Sequence, residues 1–177
     1  MAGITGIVLA AGAGTRAGGP KALRVDADGT PWITRAVDAL RSVTPDVIVV
    51  LGAALDAPVP DGVRVVVATE WEHGMSASLR AGLEAVPPSD AALVTLVDLP
   101  GMPASVVERI VENHWPGVLR QAVYDGRPGH PVLIGRDHVR WAAESLAGDR
   151  GAREYLLEHG VDEVECGDLW NGSDVDS

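Results

Sequence analysis

The chain has 177 residues, 46% of them apolar and 22% charged, with a formal net charge of −11. That size and composition predict one ordinary domain with a full core, and the acidity argues against nucleic-acid backbones and anionic membranes as partners of the surface as a whole. Cys166 is the single cysteine, which excludes an internal disulfide or a thiolate metal cluster and fits a reducing, cytoplasmic setting.

In chain order, the first segment is MAGITGIVLAAGAG. It has no basic stretch ahead of its apolar residues, so no secretory leader is expected. Ile4–Ala10 within it reads as a strand. Pro31–Val43 predicts a helix, with Thr30 as its N-cap and Pro31 at the first helical position. Val47–Leu51 and Val63–Ala68 are β-branched strands. Ser76–Val86 is helical, with Leu79 and Leu83 four apart, and stops at Pro87-Pro88. Ala91–Val97 is a near-continuous apolar strand, and Pro103–Asn113 is a helix opened by a proline. Gly117–Val123 and Pro131–Ile134 predict two strands joined through the turn residues Tyr124–Gly129. Two helices (Arg136–Leu146 and Arg150–His159) and a last strand (Asp162–Glu165) follow, with a loose tail from Asn171 to Ser177. No run approaches the roughly 18 apolar residues of a membrane span. Apolar strands that do not alternate with polar residues, separated by helices, predict an α/β fold. This is a doubly wound, mostly parallel sheet covered on both faces, with the Val118–Ile134 pair as an antiparallel addition. No repeat or linker interrupts residues 1–177.

The most informative stretch is IVLAAGAGTRAGGPKAL, residues 7–23. Gly12-Ala13-Gly14-Thr15-Arg16-Ala17 has the spacing of a relaxed dinucleotide fingerprint. In a dinucleotide fold, however, the chain enters a helix at once. Here Gly18, Gly19 and Pro20 disrupt any such helix. The acidic residue expected after the second strand is also missing, since Val50 and Leu51 run into Gly52. The P-loop pattern fails because Pro20 precedes Lys21 and Ala22 follows it. A loop that wraps a triphosphate with backbone N–H groups fits better, with Arg16 as a bidentate fork and Lys21 as a point charge. A surface turn with no ligand is the alternative on local chemistry alone.

LAAGAGTRAGGPKAL resembles the L-A-A-G-x-G-x-R-x-G-x-x-K signature of the MobA-like nucleotidyltransferases, and among them it is most similar to the molybdenum cofactor cytidylyltransferases. Three further regions agree in order. GMSASLRAGL (Gly74–Leu83) is similar to the G-M-x-x-S-L segment, and LVDLPGMP (Leu96–Pro103) to the D-x-P metal segment. GRPGHPVLIGR (Gly126–Arg136) with GDRGAR (Gly148–Arg153) resembles the G-x-x-G-H-P and G-D-[RK]-G-A-R segments. The resemblance implies a Rossmann-like fold of the nucleotide-diphospho-sugar transferase type.

The resemblance also implies a set of roles. Leu9, Ala10, Ala11, Gly12, Gly14, Thr15, Arg16 and Lys21 would bind the nucleotide, with Gly74, Met75, Ser76 and Ser78 at its base and ribose. Arg16, Lys21 and Asp98 would be catalytic. Mg²⁺ would sit on Asp98, helped by Asp176 in DVDS, which resembles the start of a D-[IV]-D-T-P tail but lacks its Thr-Pro. His130 and Arg150 would contact the acceptor. LAAG in place of LAGG implies CTP over GTP, through Ala11. The implied reaction moves CMP from CTP to the phosphate of molybdopterin and releases pyrophosphate. A molybdenum hydroxylase would be the client. A sugar phosphate or other phosphorylated metabolite is an alternative acceptor, and a non-catalytic cofactor escort is an alternative role.

Local chemistry offers plainer roles for several of these residues. Asp98 would cap the turn at Leu99-Pro100, Ser76 or Ser78 would cap their helix, and Asp149 would cap the last one. Asp176 would belong to a solvated acidic end, and His130 would be structural. Trp71, beside the base segment, is a candidate to stack a ring, whereas Trp32, Trp115, Trp141 and Trp170 read as packing residues.

Overall fold

The structure is a computed structural model and describes residues 3–88 and 90–176. Among them, seven strands form one sheet: β1 (Ile4–Ala10), β2 (Val47–Leu51), β3 (Arg64–Val67), β4 (Ala91–Leu96), β5 (Leu119–Tyr124), β6 (Arg127–Ile134) and β7 (Asp162–Glu165). Their order across the sheet is β3-β2-β1-β4-β6-β5-β7. β6 alone runs against its neighbours β4 and β5; β7 is parallel to β5, and the remaining pairs are parallel. The helices are α1 (Trp32–Arg41), α2 (Met75–Glu84), α3 (Ala104–Val111), α4 (Arg136–Ser145) and α5 (Arg153–Glu158).

The two faces of the sheet bury two separate cores. Val8 and Ala10 of β1, Val49 and Leu51 of β2 and Leu93 of β4 pack with α1 and α3. Ile7, Leu9, Ile48, Val50 and Val94 point the other way, toward α2, α4 and α5. Successive residues of a strand face opposite sides. With both sides covered, β2 is apolar throughout and β1 and β4 carry only the buried Thr5 and Thr95 as polar side chains, which is why these central strands lack polar alternation.

Most predicted elements appear with ends trimmed by a few residues, and several local expectations are corrected. Thr30 does not cap α1: its own N–H donates to Asp28 Oδ1 at 3.0 Å, and Pro31 takes the N-cap position. Ser76 and Ser78 do not cap α2, which opens on Gly74 at φ +106°. Asp149 does not cap the last helix, because α5 starts only at Arg153 behind Ala152. The β5–β6 turn is shorter than expected. Asp125 and Gly126, both at positive φ, turn the chain alone, the conformation that an Asp-Gly hairpin favours.

The tail is tied down at several points. Trp170 sets its edge against Tyr124 with ring centroids 5.5 Å apart, and the Val175 N–H donates to the Asp98 carbonyl at 2.9 Å. Ser177, the last residue of that predicted tail, lies outside the described residues. No helix among the described residues is long and apolar enough to cross a membrane.

Candidate active site

The carboxyl ends of three central strands lie level, with Leu9 beside both Val50 and Leu96. The chain leaves β1 for β2 and β3 on one side and returns to β4 on the other. This topological switch leaves a crevice above β1 and β4 where ligands bind in open α/β sheets. The crevice here has a volume of about 450 Å³, within the range of small-molecule sites. One wall is the run from Leu9 to Thr15 with Lys21. Trp71, Glu72, Gly74, Met75 and Ser78 also line it, and Leu96 to Asp98 lie at the end of β4.

The glycines of the β1 loop bend it rather than loosen it. The Gly14 carbonyl accepts N–H bonds from Ala17 and Gly19, each at 3.0 Å. Gly14, Gly18 and Gly19 all have positive φ, and a Cβ on Gly14 would overlap the Gly19 carbonyl oxygen. The Arg24 guanidinium donates to the Ala17 carbonyl and holds the curl from outside. Pro20 then delivers Lys21 into a single 3-10 turn, Lys21–Leu23, anchored by buried Ala22.

Lys21 joins the loop to the end of β4 and to the tail. Its Nζ lies 2.9 Å from Asp98 Oδ2 and 3.0 Å from Asp176 Oδ1. Desolvation pulls the ammonium's pKa down, but the hydrogen bonds to the two carboxylates outweigh it and leave the value raised. Asp98 Oδ1, by contrast, is buried without a hydrogen-bond partner among the described residues. A buried carboxylate oxygen with no donor is costly unless something occupies it.

Of the other predicted residues, Arg16 is exposed and lines a neighbouring hollow with Gly14, Thr15, Lys21 and Asp176. Ser78 faces the main crevice; Ser76 is not among its lining residues and is buried with its Oγ unpartnered. His130 and Arg150 line a second, smaller cavity of about 110 Å³ that shares Leu9 and Met75 with the crevice. Burial pushes the His130 imidazole down to about 4, with the Asp98 charge opposing. At neutral pH the ring is therefore an uncharged hydrogen-bonding group. Arg150 pairs with Glu154 on the solvent side.

The loop before α5 also closes on α2. The Gly148 carbonyl accepts the Ser76 N–H at 3.2 Å, and a Cβ on Gly74 would collide with Asp149 Oδ1. Sequence reasoning missed Glu72, since an exposed acid in an acidic chain carries no spacing signal. It also missed Gly52, which was noticed only as a place where an acid was absent.

Residues 6–164 match the MobA-like NTP transferase domain model. The chain belongs to the MobA-like NTP transferase family. The matched span takes in the glycine loop, Asp98, His130 and Arg150, and stops short of Asp176. This MobA-like protein is 36% identical to a nicotine blue oxidoreductase of Paenarthrobacter nicotinovorans, over 98% of this chain and 92% of that one. Among solved structures it resembles Rv0371c of Mycobacterium tuberculosis H37Rv, with TM-score 0.85 and 31% identity over 99% of this chain and 93% of that one. A second Rv0371c structure, a complex with manganese, matches with TM-score 0.76 and 29% identity over 93% of this chain and 88% of that one. It also resembles a nucleotidyl transferase of Methanothermobacter thermautotroptrophicus, with TM-score 0.74 and 26% identity over 92% of this chain and 87% of that one.

Proposed function

We propose that this protein is a Mg²⁺-dependent cytidylyltransferase of the cytoplasm that moves CMP from CTP to the terminal phosphate of molybdopterin and releases pyrophosphate. The observation that carries the proposal is the Lys21–Asp98–Asp176 cluster at the mouth of the β1–β4 crevice, beside the curled glycine loop.

The acceptor is a phosphate already ionised at neutral pH, so the reaction needs no strong general base. Neutral His130 fits that requirement. The phosphate attacks the α-phosphorus in line with the leaving pyrophosphate, and positioning and charge neutralisation supply the rate. Lys21 turns from its carboxylates to the α-phosphate, and Arg16 takes the departing pyrophosphate. Backbone N–H groups of the glycine loop cradle the β- and γ-phosphates. His130 and Arg150 hold the acceptor in the smaller cavity, which shares Leu9 and Met75 with the crevice.

The donor set suits a hard cation. Asp98 and Asp176 offer oxygen ligands, and Asp98 Oδ1 is buried with no donor of its own. One or two carboxylates completed by substrate phosphates is how magnesium is commonly held, and the manganese complex of Rv0371c supports a divalent ion. When bound there, the ion would neutralise phosphate charge and polarise the phosphoryl oxygens.

Pyrophosphate release with CTP or GTP, molybdopterin and Mg²⁺ tests the proposal. CTP is expected to turn over in preference to GTP, and equal or reversed preference overturns the cytidylyl assignment. The 36% identical relative named as an oxidoreductase favours one other reading, oxidation–reduction at the same crevice. Absence of pyrophosphate with every nucleotide, together with cofactor oxidation by a candidate acceptor, would establish it instead.

A further inference from the structure

Five tryptophans are present beside no phenylalanine, and four of them are accounted for. Trp32 is buried in α1. Trp115 lies under the Arg120 guanidinium at 5.4 Å, and Trp141 under Arg140 at 5.9 Å. Trp170 meets Tyr124 edge-on. Trp71 has no ring or guanidinium partner among the described residues, is only half-buried, and lines the crevice. Its place is made by Gly52 at the end of β2. A Cβ on Gly52 would come within 2.7 Å of both Trp71 Cγ and the Ala11 carbonyl oxygen. The missing side chain thus lets the indole settle against the strand end beside Ala11. The next residue, Glu72, also lines the crevice, and its carboxylate has no hydrogen bond or ion pair among the described residues.

We infer that Trp71 is the platform on which the nucleobase stacks and that Glu72 reads the base edge, so the site selects a base carrying an exocyclic amine. The inference rests on the nucleotide-binding role proposed above and deepens it. An indole face accepts any flat heterocycle, so stacking gives affinity with little choice of base. A carboxylate only accepts hydrogen bonds. It therefore welcomes the N4 amine of cytosine and repels the O4 carbonyl of uracil. This discrimination is separate from that implied by Ala11: Ala11 bears on pyrimidine against purine, Glu72 on amine against carbonyl. Lys21 and the glycine loop line the same crevice as Trp71 and Glu72, so one nucleotide can meet the loop with its phosphates and the indole with its base.

Calorimetric titration of the full chain with CTP and with UTP, in the presence of Mg²⁺, tests the inference. Wild type is expected to bind CTP more tightly than UTP. Trp71→Leu should weaken CTP binding by about ten- to a hundredfold, while Trp71→Phe, which keeps a stacking face, should retain most of it. Glu72→Gln should pull the CTP-to-UTP affinity ratio toward one, about tenfold, because its amide can turn an N–H toward uracil. In turnover, the loss in Trp71→Leu should fall on KM more than on kcat, as for a contact made equally in ground and transition states. CTP affinity unchanged in Trp71→Leu, or a base ratio unchanged in Glu72→Gln, overturns the inference and leaves the nucleotidyltransferase proposal standing. Failure of wild type to bind any nucleoside triphosphate overturns both.

Discussion

Lys21 stands between a backbone loop and two carboxylates, and its surroundings define what its removal should do. Asp98 and Asp176 hold the ammonium at the crevice, where the proposed function has it meet the α-phosphate. Lys21→Ala is expected to lower the rate of pyrophosphate release by about a hundredfold or more, the usual scale for losing one preorganised charge-stabilising group. The full wild-type rate in that variant would remove Lys21 from the chemistry. The folded protein raises the lysine's pKa above its ordinary value of 10.5. The stabilisation from its ion pairs is therefore complete below that value and lost only as pH climbs through the higher folded one. Neutral and mildly alkaline assays thus probe the charged lysine. Asp176 is the more solvent-exposed partner, with 79% of its side chain accessible against 17% for Asp98. Asp176→Asn should therefore weaken divalent-ion dependence less than Asp98→Asn, as read from the Mg²⁺ concentration giving half-maximal rate.

At the level of single elements, the glycine loop and the β5–β6 hairpin make separate demands. Gly14 cannot take a side chain, because its φ is +61° and the Gly19 carbonyl fills the space. Gly14→Ala should cost more than about 1 kcal/mol of stability and weaken nucleotide binding as the curl opens. A thermal midpoint and CTP affinity equal to wild type would contradict that. The hairpin is stapled by Glu165 of β7, whose carboxylate accepts N–H groups of Gly167 at 2.7 Å, Asp125 at 3.0 Å and Gly126 at 3.2 Å. These bonds, the Gly167 one foremost, hold its pKa below the usual 4.5. Their stabilisation is present above pH 4.5 and is lost as pH falls through the lower folded value. Glu165→Gln should accordingly lower the thermal midpoint at pH 7 and converge on wild type in acid; a gap that persists at low pH would refute the staple.

The same elements mark what could be read from the amino acids. Short apolar runs broken by Gly and Pro located the strands, and Asp98 at the end of one of them. The capping expected at Thr30 and Asp149 fails because Asp28 captures the Thr30 amide and Asp149 sits between two left-handed glycines, Gly148 and Gly151, before α5 begins. Such competition between neighbouring donors and acceptors leaves no periodic trace.

Across the whole molecule, the legible part of the site is the part that lies near a strand end in one continuous segment. The crevice itself depends on sheet order, which places β1 between β2 and β4 and sends the chain away from their common edge. Nothing local in Gly52, Trp71 or Glu72 announces that the ends of β2 and β3 bring them to the crevice beside the glycine loop. The tail is a similar case: Asp176 reaches Lys21 across 155 positions of sequence, guided by the backbone bond from Val175 to Asp98.

The cluster that this long reach completes also ties the two proposed ligands to each other. One ammonium is shared between two carboxylates, and Asp98 Oδ1 is left over. A triphosphate arriving alone must draw Lys21 away and leave the carboxylates facing new negative charge. A divalent cation arriving alone on Asp98 must sit close to the Lys21 ammonium and is repelled by it. Arriving together, each ligand relieves the charge the other exposes. Nucleotide and metal should therefore bind with positive cooperativity, each tightening the other by the same factor. Equal CTP affinity in the presence and absence of Mg²⁺, measured at constant ionic strength, would show that the Lys21 ion pairs do not have to exchange when substrate binds.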